Sequence, residues 1–152
     1  MAVELWTDGG CVGNPGPGGW AFVLRWPEGE IAQSGFEVET TNNRMEMTAV
    51  LQGLRHVTAN ADLRRVRLLV VTDSQYVHKG MTQWMASWER SGWKTSNKKP
   101  VKNQDLWMAL AEAARGLDLE WRWVLGHAGN EMNERCHDLV EQAIAKGGKR
   151  PA

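Results

Sequence analysis

Three acidic residues stand where the pattern of the chain predicts that a strand ends or a helix begins. Asp8 closes an alternating segment, residues 3–8, and Asp73 closes residues 67–73, an apolar run typical of a strand buried on both faces. Glu46 opens a stretch of helical periodicity. Sites in open α/β sheets form just beyond the carboxyl ends of strands. If the two strands are parallel neighbours, Asp8 and Asp73 lie side by side, and a hard divalent cation would offset their repulsion.

Each carboxylate also has an explanation that involves no chemistry. Asp8 precedes a Gly-Gly pair and could be a turn residue. Glu46 follows Asn43 by three residues, which is the spacing of a helix capping box. Asp73 precedes Ser74 and could cap a helix. Taken singly these explanations are the commoner ones, so the prediction of a metal site depends on the coincidence of all three residues.

The elements that would position the carboxylates are predicted from periodicity and turn chemistry. The predicted strands are 3–8, 20–26, 31–38, 67–73 and 119–125, and the predicted helical stretches are 43–57, 81–88, 106–117 and 132–143. Asn42 or Asn43 is expected to cap the first helix. This order predicts an α/β fold: a five-stranded mixed sheet, formed by an antiparallel meander plus two parallel strands, with helices packed on both faces.

Length and composition predict one compact domain. A chain of 152 residues with 42% hydrophobic content can bury a core without disulfides or a structural metal. Cys11 and Cys136 are far apart and belong to no C-x-x-C pair, so both are expected to be reduced thiols. The chain shows no basic-then-apolar leader and no apolar run long enough for a bilayer, so we expect a cytoplasmic protein without a membrane partner.

Charge is distributed unevenly along the chain, although the formal net charge is zero. Residues 1–46 carry seven acidic and two basic side chains, whereas residues 79–102 carry six basic and one acidic. An acidic region beside a basic one indicates a metal site next to a phosphate-binding surface. A solvated basic loop without a partner explains the charge pattern equally well.

Five short motifs, taken in order, resemble the bacterial type 1 ribonuclease H family. They are Thr7-Asp8-Gly9, Gly13-Asn14-Pro15-Gly16, Thr41-Asn42-Asn43-Arg44-Met45-Glu46, Thr72-Asp73-Ser74-Gln75-Tyr76-Val77 and Gly126-His127-Ala128-Gly129. The Trp- and Lys-rich segment at about 79–103 looks like the basic protrusion of that family. The resemblance covers nearly the whole chain and implies a single ribonuclease H domain over residues 1–145, followed by a flexible basic tail, 146–152.

The resemblance implies an endonuclease that hydrolyses the RNA strand of an RNA/DNA hybrid and leaves 5′-phosphate and 3′-hydroxyl ends. Asp8, Glu46 and Asp73 would hold two Mg²⁺ or Mn²⁺ ions roughly 4 Å apart when substrate is bound, one activating the attacking water and one stabilising the leaving oxygen. His127 would act as a proton shuttle or an aid to product release. The partner implied is the hybrid duplex, with no obligate protein partner and a monomeric state.

Substrate contacts are implied on both sides of the carboxylates. The candidate substrate-binding residues are Cys11, Asn14, Thr41, Asn42, Asn43, Gln75, Trp84, Trp88, Lys94, Lys98, Lys99 and Asn103. The amide side chains could reach minor-groove edges and 2′-hydroxyl groups, which distinguish RNA from DNA. Thr41 and Asn103 resemble the family's contacts to a DNA phosphate. Of Trp84 and Trp88, one is expected in the core and the other against the nucleic acid.

The last helix departs from the family pattern. Family members usually place a fourth carboxylate there, but an alignment without gaps over residues 133–136 puts His137 at that position and Asp138 next to it. A helix turns by about 100° per residue, so with an apolar stripe centred near Cys136, His137 should face the site and Asp138 the solvent. Imidazole suits Mn²⁺ or Zn²⁺ better than Mg²⁺. We therefore expect His137 to be a metal ligand in an active enzyme with altered metal preference.

Two other functions are compatible with parts of the pattern. A catalytically impaired module that only binds RNA/DNA hybrids would retain the fold and the protrusion and lose turnover through His137. An ATP-handling protein is suggested by the glycine-rich segment after Asp8, but that segment lacks the phosphate-binding glycine motifs and is followed by a strand rather than a helix. The first alternative stays open at this point, and the second is disfavoured.

Overall fold

The computed structural model of the protein describes residues 3–95, 97–126 and 129–148. The strands are β1 Val3–Cys11, β2 Gly16–Trp26, β3 Gly29–Thr40, β4 Leu68–Thr72 and β5 Leu119–Trp123. The α-helices are α1 Asn42–Thr58, α2 Gln75–Lys79, α3 Met85–Ser91, α4 Gln104–Ala114 and α5 Glu131–Gly148. A 3₁₀ turn at Leu63–Arg65 precedes β4, and a π-helical segment, Gly80–Trp84, joins α2 to α3.

The strands form a single mixed sheet with the order β3-β2-β1-β4-β5. β1 pairs antiparallel with β2, and β2 pairs antiparallel with β3, which is the predicted meander. β1 and β4 are parallel neighbours, and β4 pairs in parallel with β5. The predicted fold class is confirmed. The carboxyl ends of β1 and β4 therefore meet at one edge of the sheet, where Asp8 and Asp73 lie.

Helices cover both faces of the sheet, α1 on one and α5 on the other. Leu5 in β1 points toward α1, where Gly53 allows close approach: a Cβ at that position would lie 2.6 Å from Leu5 Cδ1. On the opposite face a Cβ at Gly19 would lie 3.1 Å from the Val140 carbonyl of α5. Phe22 and other large side chains are fully buried beneath α1, and each such side chain contributes about 2 kcal/mol through burial.

Helix α1 begins one residue earlier than predicted. The Thr41 side chain is its cap, since the hydroxyl oxygen accepts a hydrogen bond from the Arg44 N–H at 3.2 Å. The prediction that Asn42 or Asn43 caps the helix is wrong, because both already have helical conformation. Glu46 consequently lies more than one turn inside the helix, beyond the position from which a capping box can form.

The segment from α2 to α3 packs against α4 through an aromatic cluster. It consists of the rings of Tyr76, Trp84, Trp88, Trp93 and Trp107, with neighbouring centroids 5.3–6.3 Å apart. Gly80 lies directly against Trp107, and a Cβ there would be only 2.0 Å from Cη2 of the indole. The helix can approach the buried ring this closely only because position 80 has no side chain.

Element boundaries differ from the predictions mainly at the ends. β1 and β2 extend into the predicted glycine-rich turn, because the backbone of Gly10 pairs with Gly19 and that of Cys11 with Gly18. Helix α5 continues through Gly148, past the start of the predicted tail, and residues 149–152 lie outside the described residues. Among the helices that the structure describes, none is both long and apolar enough to span a bilayer.

Candidate active site

Asp8, Glu46 and Asp73 converge at the edge of the sheet where β1 and β4 end. One oxygen of each carboxylate lies within 4.8 Å of the others. Asp8 is 5% exposed, and Glu46 Oε1 is buried without a hydrogen-bond partner among the described residues. Three acidic groups packed this closely, one of them with a buried oxygen that lacks a donor, suit a hard divalent cation, which prefers oxygen ligands.

The structure contradicts the three explanations that involved no chemistry. Asp8 is not in a turn, because it lies inside β1 and pairs with Ala21 of β2. Asp73 caps no helix, because the hydroxyl of Ser74 accepts the N–H of Val77 and caps α2. The capping box at Glu46 is excluded by the start of α1. None of the three carboxylates therefore has the local role that its sequence context allowed.

The spacing between Asp8 and Glu46 is set by direct contact between the backbones of β1 and α1. A Cβ at Gly9 would lie 2.3 Å from the Met45 carbonyl carbon and 2.4 Å from the Glu46 nitrogen. Since a Cβ atom cannot come so close to another atom, only glycine permits this approach. The residue after Asp8 thus brings Glu46 into the cluster.

Burial and mutual repulsion disfavour charge in this cluster. Burial, and then the neighbouring Asp73 charge, raise the pKa of Asp8 from 3.8 to about 6. Burial raises the pKa of Glu46 well above its ordinary value, and the charges of Asp73 and Asp8 add to the effect. A bound divalent cation would reverse this preference because it stabilises the ionised carboxylates.

Asp73 is held from the side of β5 and α5. Its backbone carbonyl accepts a hydrogen bond from Trp123 Nε1 at 2.9 Å, and its Oδ2 accepts one from Asn133 Nδ2 at 3.3 Å. A Cβ at Gly126 would lie 2.9 Å from the same Oδ2. Sequence reasoning missed Trp123 and Asn133. The sequence holds no local signal for the tryptophan, because its place beside Asp73 follows from the parallel β4–β5 ladder, in which Thr72 pairs with Trp123.

His137 lies beside Asp8, and Asp138 is exposed. His137 Nδ1 is 3.4 Å from Asp8 Oδ2, and Nε2 is 3.1 Å from Glu141 Oε1 on the next turn of α5. This placement agrees with the orientation expected from helical periodicity. The imidazole is one influence that lowers the pKa of Asp8, although burial and Asp73 outweigh it. His137 does not belong to the set of described ligand atoms that lie within 4.8 Å of one another.

Several predicted substrate residues border the carboxylates. A cavity of about 690 Å³ contains the carboxylates and is also lined by four of these residues, Cys11, Asn42, Asn43 and Gln75. Asn14 is tied to the same place, because its Oδ1 accepts the Asn42 N–H at 3.2 Å. The Asn42 Oδ1 in turn accepts the Cys11 N–H at 2.9 Å. The turn after β1 and the start of α1 therefore form one hydrogen-bonded wall of the cavity.

Most of the remaining candidates lie on the basic protrusion at about 79–103. Trp88 packs against the core and on Trp107, whereas Trp84 contacts Tyr76 and Trp88. Lys94, Lys98 and Lys99 are exposed on a loop closed by a bridge between Lys94 and Pro100. Asn103 precedes α4 and is hydrogen-bonded to Arg44 and Tyr76. His127 lies outside the described residues, so its place relative to the carboxylates stays a prediction.

Comparison with known proteins identifies the family. A sequence model of RNase H matches residues 1–145. The chain is 52% identical over 142 residues to a curated Ribonuclease H of Hydrogenovibrio crunogenus, covering 93% of this chain and 94% of the relative. It is also 52% identical to a Ribonuclease H of Bordetella bronchiseptica, covering 93% and 88%. The chain belongs to the ribonuclease H family.

Solved structures of ribonucleases H have the same fold. The crystal structure of LC9-RNase H1, described as a type 1 RNase H with the type 2 active-site motif, superposes with a TM-score of 0.83 at 33% identity and covers 98% of this chain and 74% of that one. LC11-RNase H1 in complex with an RNA/DNA hybrid superposes with a TM-score of 0.75 at 24% identity, covering 97% and 99%. At that identity the second structure supports the fold alone.

Proposed function

We propose that this ribonuclease H family member hydrolyses the RNA strand of an RNA/DNA hybrid at Asp8, Glu46 and Asp73. The observation that carries the proposal is the convergence of the three carboxylate oxygens within 4.8 Å, at an edge of the sheet that opens into a cavity. Curated relatives that are half identical over nearly the full chain support the same activity.

The donor set suits a divalent cation, and we propose Mg²⁺ or Mn²⁺, two per site when substrate is bound. When bound, such cations supply Lewis-acid polarisation of the phosphate and a more acidic water. The chain's own part is to present the three carboxylates in fixed positions. Gly9 allows α1 to place Glu46 against β1, and Trp123 and Asn133 hold Asp73.

Recognition of the hybrid is assigned to the residues around the same cavity. Asn42, Asn43 and Gln75 line it, and their amides can both donate and accept hydrogen bonds to minor-groove edges and 2′-hydroxyl groups. The basic protrusion at about 79–103 would bind the DNA backbone through its exposed lysines. His127 would transfer a proton at the scissile phosphate, because a histidine ordinarily changes its charge near neutral pH.

The activity is tested with a labelled RNA/DNA hybrid beside RNA/RNA and DNA/DNA duplexes, each with Mg²⁺ or Mn²⁺ and with EDTA. We expect cleavage of the RNA strand of the hybrid alone, abolished by EDTA, with 5′-phosphate and 3′-hydroxyl products. Cleavage of all three duplexes, or cleavage that survives chelation, would contradict the proposal. Gel filtration in the same buffer tests the proposed monomeric state, and fractionation of the source cells tests the proposed cytoplasmic location.

We assign His137 the place of the fourth site residue, because its Nδ1 lies 3.4 Å from Asp8 Oδ2 while the neighbouring Asp138 is exposed. An imidazole in place of a carboxylate removes a negative charge and favours Mn²⁺ over Mg²⁺. His137→Asp should therefore raise activity in Mg²⁺ relative to Mn²⁺ and tighten Mg²⁺ binding in calorimetry. Asp138→Asn is the matched control, and equal metal preference in all three proteins would contradict the assignment.

The presence of His137 where the family usually has a carboxylate favours a second candidate function, a hybrid-binding module without turnover. Tight binding of the hybrid with no cleavage in either metal would select it. Three carboxylates in ligand geometry support the enzyme instead, because a protein that only binds nucleic acid gains nothing from repelling buried charges.

A further inference from the structure

Arg44 joins the start of α1 to the start of α4. Its Nη1 and Nη2 lie 2.9 and 2.8 Å from Oδ1 and Oδ2 of Asp105, a bidentate pair. The two side chains are 34% and 66% exposed, and an ion pair so exposed contributes little to stability. Its effect is geometric: the planar fork fixes where the guanidinium of Arg44 lies.

The guanidinium also faces the side chain of Asn103, with Nη1 3.4 Å from Oδ1. On its other side Asn103 donates from Nδ2 to the hydroxyl of Tyr76 at 3.1 Å, and that hydroxyl also accepts the Nε1–H of Trp107 at 3.2 Å. The side chain of Asn103 is therefore held between α1 on one side and α2 on the other.

Arg44 alone among these partners determines which way the amide of Asn103 points. A tyrosine hydroxyl can donate or accept, so Tyr76 would satisfy either orientation. A guanidinium can only donate, and only the amide oxygen can face it. The backbone leaves little other freedom, because Asn103 has a φ of +60° and its carbonyl accepts the N–H of Leu106 and of Trp107.

We propose that Arg44 is a positioning residue for the contact with the DNA strand. It keeps the Asn103 oxygen facing the guanidinium, so that one N–H of Nδ2 bonds to Tyr76 and the other can donate to a backbone phosphate. This inference rests on the proposed function and on the phosphate contact expected of Thr41 and Asn103. Thr41 belongs to the same group, since its hydroxyl accepts the Arg44 N–H. An inverted amide would present its oxygen to the phosphate, and two acceptors repel each other.

Arg44→Met tests the proposal, because methionine keeps length and helix propensity but has no donor. We expect KM for the hybrid to rise roughly tenfold, the effect of one hydrogen bond to a charged group, with kcat within about twofold. Arg115→Met is the matched control, since Arg115, which follows the last residue of α4, forms an exposed 2.8 Å pair with Glu112 of that helix. The control removes the same charge, and its KM should stay near the parent value.

A set of hybrids, each with one DNA phosphate replaced by a neutral methylphosphonate, identifies the contact itself. The parent should lose affinity at one position in particular. The Arg44→Met protein has already lost the contact with that phosphate, so neutralising it should cost the variant no further affinity. At every other phosphate the variant should lose as much affinity as the parent. Asp105→Asn takes one acceptor away from the fork that fixes the guanidinium of Arg44, so its sensitivity at the one sensitive position should fall between those of the parent and of Arg44→Met.

Arg44→Lys and Arg44→Gln keep the test decisive if the methionine variant fails to fold. Lysine only donates and should retain the single sensitive phosphate, whereas glutamine can also accept and should lose it. A fall in kcat with unchanged KM, a KM rise equal to that of Arg115→Met, or an unchanged methylphosphonate profile would overturn the inference. Failure of the parent to cleave any hybrid would instead refute the proposed function.

Discussion

The carboxylate cluster and the lysine loop of the basic protrusion, closed by the bridge between Lys94 and Pro100, are built in opposite ways. Asp8, Glu46 and Asp73 project from a buried sheet edge and a core helix, and their spacing depends on backbone contact and hydrogen bonds. Lys94, Lys98 and Lys99 are exposed on a loop. Chemistry on a phosphate requires groups held within fractions of an ångström, whereas attraction between lysines and a nucleic-acid backbone acts over several ångströms. The two regions therefore differ in how much misplacement each tolerates.

The largest effect that separates the two regions is expected at Asp8. Asp8→Asn removes one ligand charge without changing shape, and we expect kcat on the hybrid to fall roughly a thousandfold, since a bound metal contributes several kcal/mol to the transition state. Initial-rate measurements in Mg²⁺ check this. Asp62→Asn, at an exposed turn, is the control, and a loss in Asp8→Asn smaller than tenfold would contradict a ligand role.

Asp8→Asn, which lowers activity, should make the protein without metal more stable near neutral pH, because it removes a buried charge. Because the pKa of Asp8 is raised to about 6 in the folded protein, its contribution to stability is fully present below pH 4 and is lost as pH rises through 6. Glu46 acts in the same direction.

In EDTA, we expect the parent to lose on the order of 2 kcal/mol from this cluster between pH 4 and 7. Denaturant unfolding of both proteins measures the change, and a comparison across pH should show a flatter profile for Asp8→Asn. If the free energy of unfolding depends on pH identically in the parent and in Asp8→Asn, the raised pKa of Asp8 would be contradicted.

The lysine loop should affect binding and not turnover. Replacing Lys94, Lys98 and Lys99 together by alanine should raise KM roughly tenfold and reduce its dependence on salt, because fewer counterions are released. Arg55, Arg64 and Arg65 provide a matched triple variant, since they lie at or beyond the far end of α1, which at 17 residues is about 25 Å long. A fall in kcat, or an equal effect of the control triple, would remove the distinction between the regions.

The smallest effect is expected at Trp123. Trp123→Phe keeps an aromatic ring and removes the hydrogen bond to the Asp73 carbonyl, so kcat should fall about fivefold with little change in KM, a loss of about 1 kcal/mol. Trp121→Phe on the same strand is the control. Should both variants lose the same activity, Trp123 would be acting through packing alone.

Most of the architecture could be predicted because the pattern of each element is local. The unbroken apolar run before Asp73 identified a strand buried on both faces, and helical spacing placed His137 toward the site. The cap of α1 was mispredicted because Asn42 and Thr41 both favour that position, and only the backbone decides between them. The support of Asp73 by Trp123 and Asn133 joins residues at least 50 positions apart, and no local pattern in one sequence records such a pairing.

The direct contact between Gly9 and the backbone of α1 has a consequence for how the protein can vary. Because the strand and the helix touch through main-chain atoms at this point, no side chain separates them there, and the backbones themselves set the distance between Asp8 and Glu46. A single methyl group added at Gly9 would move the whole of α1 and, with it, one of the three carboxylates of the cluster.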